Sequence, residues 1–260
     1  MDDPTPTMLS GSPGAGTGLP AAGALLLTRA NIVPLMSPAD YADAVETGFR
    51  ALASGTALAP APLHIPARGG GFHAKGALLE RSRRHVAVKI NSNFPGNPKR
   101  NGLPTIQGVI ALFDADDGRL LALMDSIEIT LRRTAAASAL AARYLARRDA
   151  TTVAMCGCGE QSRAQLVALA AQLSIHRVYA WDRDVEAAQR FATEMNAHLG
   201  IAVSVVSEMR AGTLASDVIV TATPARVPFL GSADVRRGAF VDRKSEAWWR
   251  ATDSQWVRNS

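Results

Sequence analysis

The amino-acid sequence predicts an α/β protein, in which an α+β domain precedes a domain built on a parallel sheet. Three observations lead there. Between Pro62 and Asp125 apolar residues recur with a period of two, the strand pattern. From Thr151 onward, short apolar strands alternate with helix-length segments, the order of βαβ units. The first of those strands runs into Gly157-Cys158-Gly159, and a helix begins at once. With 260 residues, 47% hydrophobic and 20% charged, the chain can bury a sizeable core, which excludes a globally disordered or fibrous protein.

Residues 1–23 hold nine Gly and Pro and read as a flexible leader, because such a segment buries too little apolar surface to offset its ordering entropy. The first domain, 24–148, opens with a short strand near Leu25–Leu27. Ser37 is an N-cap candidate, with Pro38 at the first helical position and Asp40 at capping-box spacing. Tyr41, Val45, Phe49 and Leu52 then mark one face of the helix. His85–Asn91 alternates as a strand, and Val109–Phe113 and Leu120–Met124 flank the turn Asp114–Gly118 as a hairpin. Ser126 is placed to cap an Ala-rich helix that reaches about Arg147. The second domain, 149–241, takes strands at Thr152–Cys156, Arg177–Trp181, Val203–Val206, Asp217–Ala222 and Ala239–Val241, with helices at Glu160–Leu173 and Asp184–His198. Residues 242–260 break the pattern and contain three of the four tryptophans, so they read as an aberrant, truncated or frameshifted tail.

The 28 basic and 23 acidic residues form no Lys/Arg block, which argues against a nucleic-acid partner. No apolar run approaches the roughly 18 residues that would span a bilayer, arguing against a membrane partner. No Lys or Arg precedes Arg29, so the positive start of a secretory signal is missing. The only cysteines, Cys156 and Cys158, supply neither a disulfide framework nor a metal site, and a cytoplasmic location is expected.

The Gly-x-Gly turn carries the chemistry. Gly157 permits the tight turn, Gly159 lets backbone approach a pyrophosphate, and the helix start offers N–H groups to the anion. Ser162 stands where a third glycine would complete the fingerprint. Asp182 follows Gly159 by 23 residues at the end of the next strand, where a carboxylate receives the adenosine ribose hydroxyls. It also repels a 2′-phosphate, which favours NAD over NADP, while the adjacent Arg183 is of the type that serves a 2′-phosphate.

Gly102-Leu103-Pro104-Thr105, Met124-Asp125, Ile129–Ala136 with Arg133-Thr134-Ala135-Ala136, and Gly157-Cys158-Gly159-Glu160-Gln161 together resemble the ornithine cyclodeaminase/mu-crystallin family over residues 24–241. The resemblance implies a Rossmann-like NAD-binding domain beside an α+β domain for substrate contacts and homodimerisation. It implies dinucleotide contacts from Thr105, Arg133, Gly157, Gly159, Glu160, Gln161, Asp182 and Thr223. Arg133 is expected between cofactor and substrate, with Lys89 on the substrate carboxylate. Family cyclodeaminases carry an Arg where this chain has His64, and an acid where it reads Phe72-His73-Ala74-Lys75; Lys75 is expected to replace the missing carboxylate partner. His73 is a residue type able to carry a proton near neutral pH. The family's catalytic Asp is not matched, since the chain departs at Asp242-Arg243-Lys244-Ser245-Glu246.

The implied activity is that of an NAD-dependent ornithine cyclodeaminase-like enzyme, acting at Cα of a small α-amino or cyclic imino acid. For ornithine the products are proline and ammonia, an ammonia-lyase reaction run through hydride transfer. Two alternatives remain: an alanine dehydrogenase or ketimine reductase-like oxidoreductase, and a dinucleotide-binding protein without turnover.

Overall fold

A computed structural model describes residues 7–9, 23–225 and 227–243. The chain divides into two compact units, Met1–Arg133 and Thr134–Ser260. The division falls inside one long helix, upstream of the boundary expected at residue 148.

The first unit is an eight-stranded sheet: β1 (Thr7–Leu9), β2 (Ala24–Leu27), β3 (Ala57–Leu58), β4 (Leu63–Ala67), β5 (Gly70–Glu80), β6 (Arg84–Asn93), β7 (Ile106–Asp114) and β8 (Leu120–Asp125). The order is β1-β2-β8-β7-β6-β5-β3, with β4 also on β5. The β5–β8 meander is antiparallel, but β2 joins β8 in parallel, so the sheet is mixed. Strand β1 lies within the segment read as a flexible leader and pairs Thr7–Leu9 with Leu26–Ala24. An otherwise unpaired edge of β2 offers backbone donors and acceptors that a short apolar segment can take up. The rest of the leader lies outside the described residues.

Helices α1 (Arg29–Ile32), α2 (Pro38–Ser54), α3 (Asn97–Asn101) and α4 (Ile127–Leu145) complete this part of the chain. Helix α2 starts as its sequence predicts: Ser37 Oγ accepts from Asp40 N–H at 3.2 Å and Asp40 Oδ2 accepts from Ser37 N–H at 2.8 Å. Helix α4 starts differently. Asp125 Oδ1 accepts from Ile127 N–H at 2.8 Å, while Ser126 donates its hydroxyl to Asn91 Oδ1 at 2.7 Å. A buried hydroxyl facing a carboxamide finds a better partner there than in its own helix.

The second unit carries β9 (Thr152–Cys156), α5 (Glu160–Ala170), β10 (Arg177–Trp181), α6 (Val185–Leu199), β11 (Ala202–Val205), α7 (Met209–Leu214), β12 (Val218–Thr221) and β13 (Phe240–Arg243). All pairs are parallel, in the order β11-β10-β9-β12-β13. The chain leaves central β9 on one side and returns as β12 on the other, creating a switch point at their carboxyl ends. Val153, Met155, Val178, Ile219 and Val220 are at most 1% exposed, as expected of strands buried on both faces.

Asp217 ties the opposite, amino-terminal edge. It accepts from Thr151 N–H, Thr152 N–H and Thr152 Oγ1 and pairs with Arg147 and Arg236. Burial works against its charge, but these bonds hold its carboxyl below the usual range. No helix among the described residues is long and apolar enough to cross a membrane. The expectations for 244–260, including Trp248, Trp249 and Trp256, lie outside the described residues.

Candidate active site

The nucleotide turn sits at the carboxyl end of β9. Gly157 has φ +95°, and a Cβ there would come 2.5 Å from Ala222 O and 2.9 Å from Thr223 Cγ2. Only glycine lets this turn close onto the end of β12. Gly157 N–H donates to Trp181 O at 2.8 Å, joining the turn to β10. Gly159 N-caps α5 in extended backbone, and its Cβ position meets nothing within 4 Å, so the helix start is open to approach. Ser162 is fully buried and donates to Gly157 O at 2.6 Å. It therefore braces the turn from inside in place of a third glycine.

Asp182 lies beside this turn. Its Oδ2 accepts from Cys158 N–H at 2.8 Å and its Oδ1 from Asp184 N–H at 3.0 Å. Each oxygen keeps a second lone pair for a hydroxyl. Glu160 is exposed and Gln161 half-buried in the first turn of α5, and Thr223 Oγ1 accepts from Ala225 N–H at 3.3 Å. Gly157, Gly159, Glu160, Gln161, Asp182 and Thr223 thus gather at one sheet edge. Arg163, absent from the sequence-based set, donates to Cys158 O at 2.9 Å and pairs with Glu194. Its only sequence signal is its place one turn into the helix. Burial pushes the Cys156 and Cys158 thiols up to about 12, so neither is a nucleophile.

A second cluster forms in the first unit. Cross-strand partners share a face and alternate residues return to it, which puts His64, His73, Lys75, Lys89 and Asn91 on one face of β4–β5–β6. Gly108 lies opposite Asn91, and a Cβ on it would come 2.6 Å from Asn91 Oδ1. The missing side chain makes room for the Asn91 carboxamide, which bonds both Ser126 Oγ and Thr130 Oγ1 and so sets the start of α4. Lys89 Nζ reaches Thr130 Oγ1 at 3.4 Å. Arg133 follows Thr130 by three residues, on the same helix face.

Lys89 is half-buried; burial, then Arg133 and Lys75, push its pKa from 10.5 to about 8. Arg133 is accessible to solvent, yet the protein around it lowers its pKa too, and a guanidinium stays charged regardless. Among the described residues no carboxylate pairs with Lys75, Lys89 or Arg133. The buried acid at the start of α4, Glu128, is taken by Arg29 at 3.0 Å and Arg132 at 2.8 Å. Glu128 takes Arg132, four residues on along the helix, and leaves Arg133, the arginine of the Arg-Thr-Ala-Ala motif, among cations. His64 and His73 lie with Nδ1 atoms 3.1 Å apart and rings 4.4 Å between centroids. Thr105 belongs to neither cluster within its own unit; it precedes β7, and its carbonyl accepts from Phe94 N–H at 2.8 Å.

A dinucleotide-type turn on a parallel sheet, together with a carboxylate-free cation face on a mixed sheet, is a specific combination. The family model of the ornithine cyclodeaminase/mu-crystallin family matches residues 23–244. The chain belongs to this family. It is 34% identical over 218 residues to alanine dehydrogenase of Archaeoglobus fulgidus, covering 84% of this chain and 66% of that one. Among solved structures it is similar to Thermococcus litoralis Δ1-pyrroline-2-carboxylate reductase in complex with NADH and L-proline (TM-score 0.81, 35% identity, 84% of this chain and 68% of that one). It is also similar to an archaeal alanine dehydrogenase dimer with bound NAD (TM-score 0.79, 33% identity, 84% and 66%). The chain therefore spans about two thirds of the length of these relatives.

Proposed function

We propose that this family member is an NAD-dependent enzyme that handles a small α-amino or α-imino acid by hydride transfer at Cα. The observation that carries this is the face bearing Lys75, Lys89 and Arg133, three cations with no carboxylate among the described residues to balance them. Such a face calls for an anion, and a guanidinium beside an ammonium holds a substrate carboxylate. Gly157 and Gly159, the α5 start with Glu160 and Gln161, Asp182 and Thr223 would hold the dinucleotide, with Thr105 and Arg133 as further contacts. The fit rests on the Cβ-free close approach at Gly157, the open helix start and the two free lone pairs of Asp182. When bound, NAD accepts or returns the hydride; the protein fixes the carboxylate and thereby Cα.

The family's name includes ornithine cyclodeamination, in which a distal amine attacks the imine and ammonia leaves. That lyase reading needs a group to hold the distal amine, and the cation face repels it. The dehydrogenase or imine reductase reading fits better and agrees with what the relatives above are called. Product analysis separates the two. Net NADH formation with an amino acid and NAD supports the dehydrogenase, whereas ammonia release without net NADH supports the cyclodeaminase.

Homodimerisation is part of the proposal. The other face of the same strands exposes Leu63, Ile65, Phe72 and Ile90 at 59, 52, 39 and 46%. An apolar sheet face of this kind seeks cover, and the archaeal alanine dehydrogenase is a dimer. The free, buried thiols of Cys156 and Cys158 suit a reducing, cytoplasmic setting.

A further inference from the structure

The cation face holds more positive charge than one carboxylate balances. Lys89 and Arg133 suffice for an α-carboxylate, yet Lys75 is the direct cross-strand partner of Lys89. Two residues along β5, His73 points to the same face and contacts His64 through Nδ1. That contact is a hydrogen bond only while one Nδ1 lacks its proton. The accepting ring then carries its proton on Nε2, where it is a donor for a ligand. Residues two apart on a strand are separated by about 7 Å, a span that the two ends of a short diacid can serve. A second carboxylate would find Lys75 and an imidazole N–H; a second amine would meet the repulsion of Lys75, with the Nε2 lone pair of the donating ring as its one acceptor in the pair.

We propose that Lys75 and the His64–His73 pair form a second anion subsite, so that the substrate is an α-amino or α-imino dicarboxylic acid whose distal carboxylate they hold. This rests on the reading that Lys89 and Arg133 take the α-carboxylate.

The test is calorimetric titration of L-aspartate, L-glutamate, L-alanine and L-ornithine into the intact chain saturated with NADH, where no turnover competes. Aspartate or glutamate is expected to bind at least about tenfold tighter than alanine, and ornithine weakest, because a charge-assisted hydrogen bond contributes about that much. Lys75→Met should bring the best diacid to within about threefold of alanine, Lys75→Arg should retain the preference, and His64→Asn or His73→Asn should reduce it. Lys75 is exposed, and a melting curve for each variant checks that the fold survives. Equal binding of diacids and alanine by the wild-type chain would overturn the second subsite and leave the α-carboxylate reading standing. A diacid preference untouched by all these substitutions would overturn its placement. Binding of none of the four amino acids would overturn the α-carboxylate reading, and the subsite with it.

Discussion

Replacing Lys89 with Met should strengthen the fold and weaken the ligand site. The ammonium sits half-buried beside Arg133 and Lys75, and its pKa falls from 10.5 to about 8. Between those values the unfolded chain holds a proton that the folded chain has given up, so wild-type stability rises with pH across about 8–10.5. Below pH 8 the folded state carries the full penalty, about 3 kcal/mol at 1.36 kcal/mol per pKa unit, which solvent screening reduces to about 1–2 kcal/mol. Lys89→Met should recover that amount at pH 7, and the gain should vanish above pH 10.5. Carboxylate binding should move the other way, losing roughly 10–150-fold with one charge-assisted bond worth about 1.5–3 kcal/mol. In the wild type the same affinity should fall as pH rises past 8, whereas Lys89→Arg should hold it. Urea melts across pH and calorimetry with L-alanine and NADH measure both effects. A Lys89→Met chain that is no more stable at pH 7 and binds alanine normally would refute the reasoning.

Asp182→Ser should cost NAD about 10–100-fold in affinity and NADP less, because NAD loses bonds from its ribose hydroxyls, whereas NADP is at the same time relieved of repulsion at its 2′-phosphate; paired dinucleotide titrations read the difference. Arg132→Gln should lower stability by about 1–3 kcal/mol by leaving Glu128 short of a partner, with ligand binding retained, whereas Arg133→Gln should do the reverse; denaturant melts and calorimetry on both variants separate them. Asp217→Asn should cost about 1–3 kcal/mol, because the Thr151 and Thr152 donors lose a charged acceptor while the half-exposed Arg147 and Arg236 keep access to water, without altering dinucleotide affinity. Because Asp217's folded pKa is depressed, its contribution is present above about pH 4 and fades as pH falls below that; acid-denaturation midpoints of wild type and variant check it.

The local signals were legible wherever neighbours in sequence are partners in space. Ser37 and Asp40 announce the α2 cap, and Gly157, Gly159 and Asp182 announce the parallel-sheet turn. The strand limits at Thr152–Cys156 and Arg177–Trp181 agree to the residue. What the sequence hid depends on pairing across distance. The β4–β5 register alone joins His64 to His73, and the β5–β6 register alone sets Lys75 against Lys89. Ser126 leaves its capping role because Gly108 opens space for Asn91. The parallel pairing of β2 with β8 follows from no alternation that a linear reading can detect.

Equilibrium titration of the intact chain with NADH and NADPH, followed by fluorescence, tests the central claim most directly, since both the turn and the catalytic reading stand on dinucleotide binding. The account predicts saturable binding at one site per chain, with NADH at least about tenfold tighter than NADPH through Asp182. Failure of NADH to saturate, or tighter binding of NADPH, would contradict it.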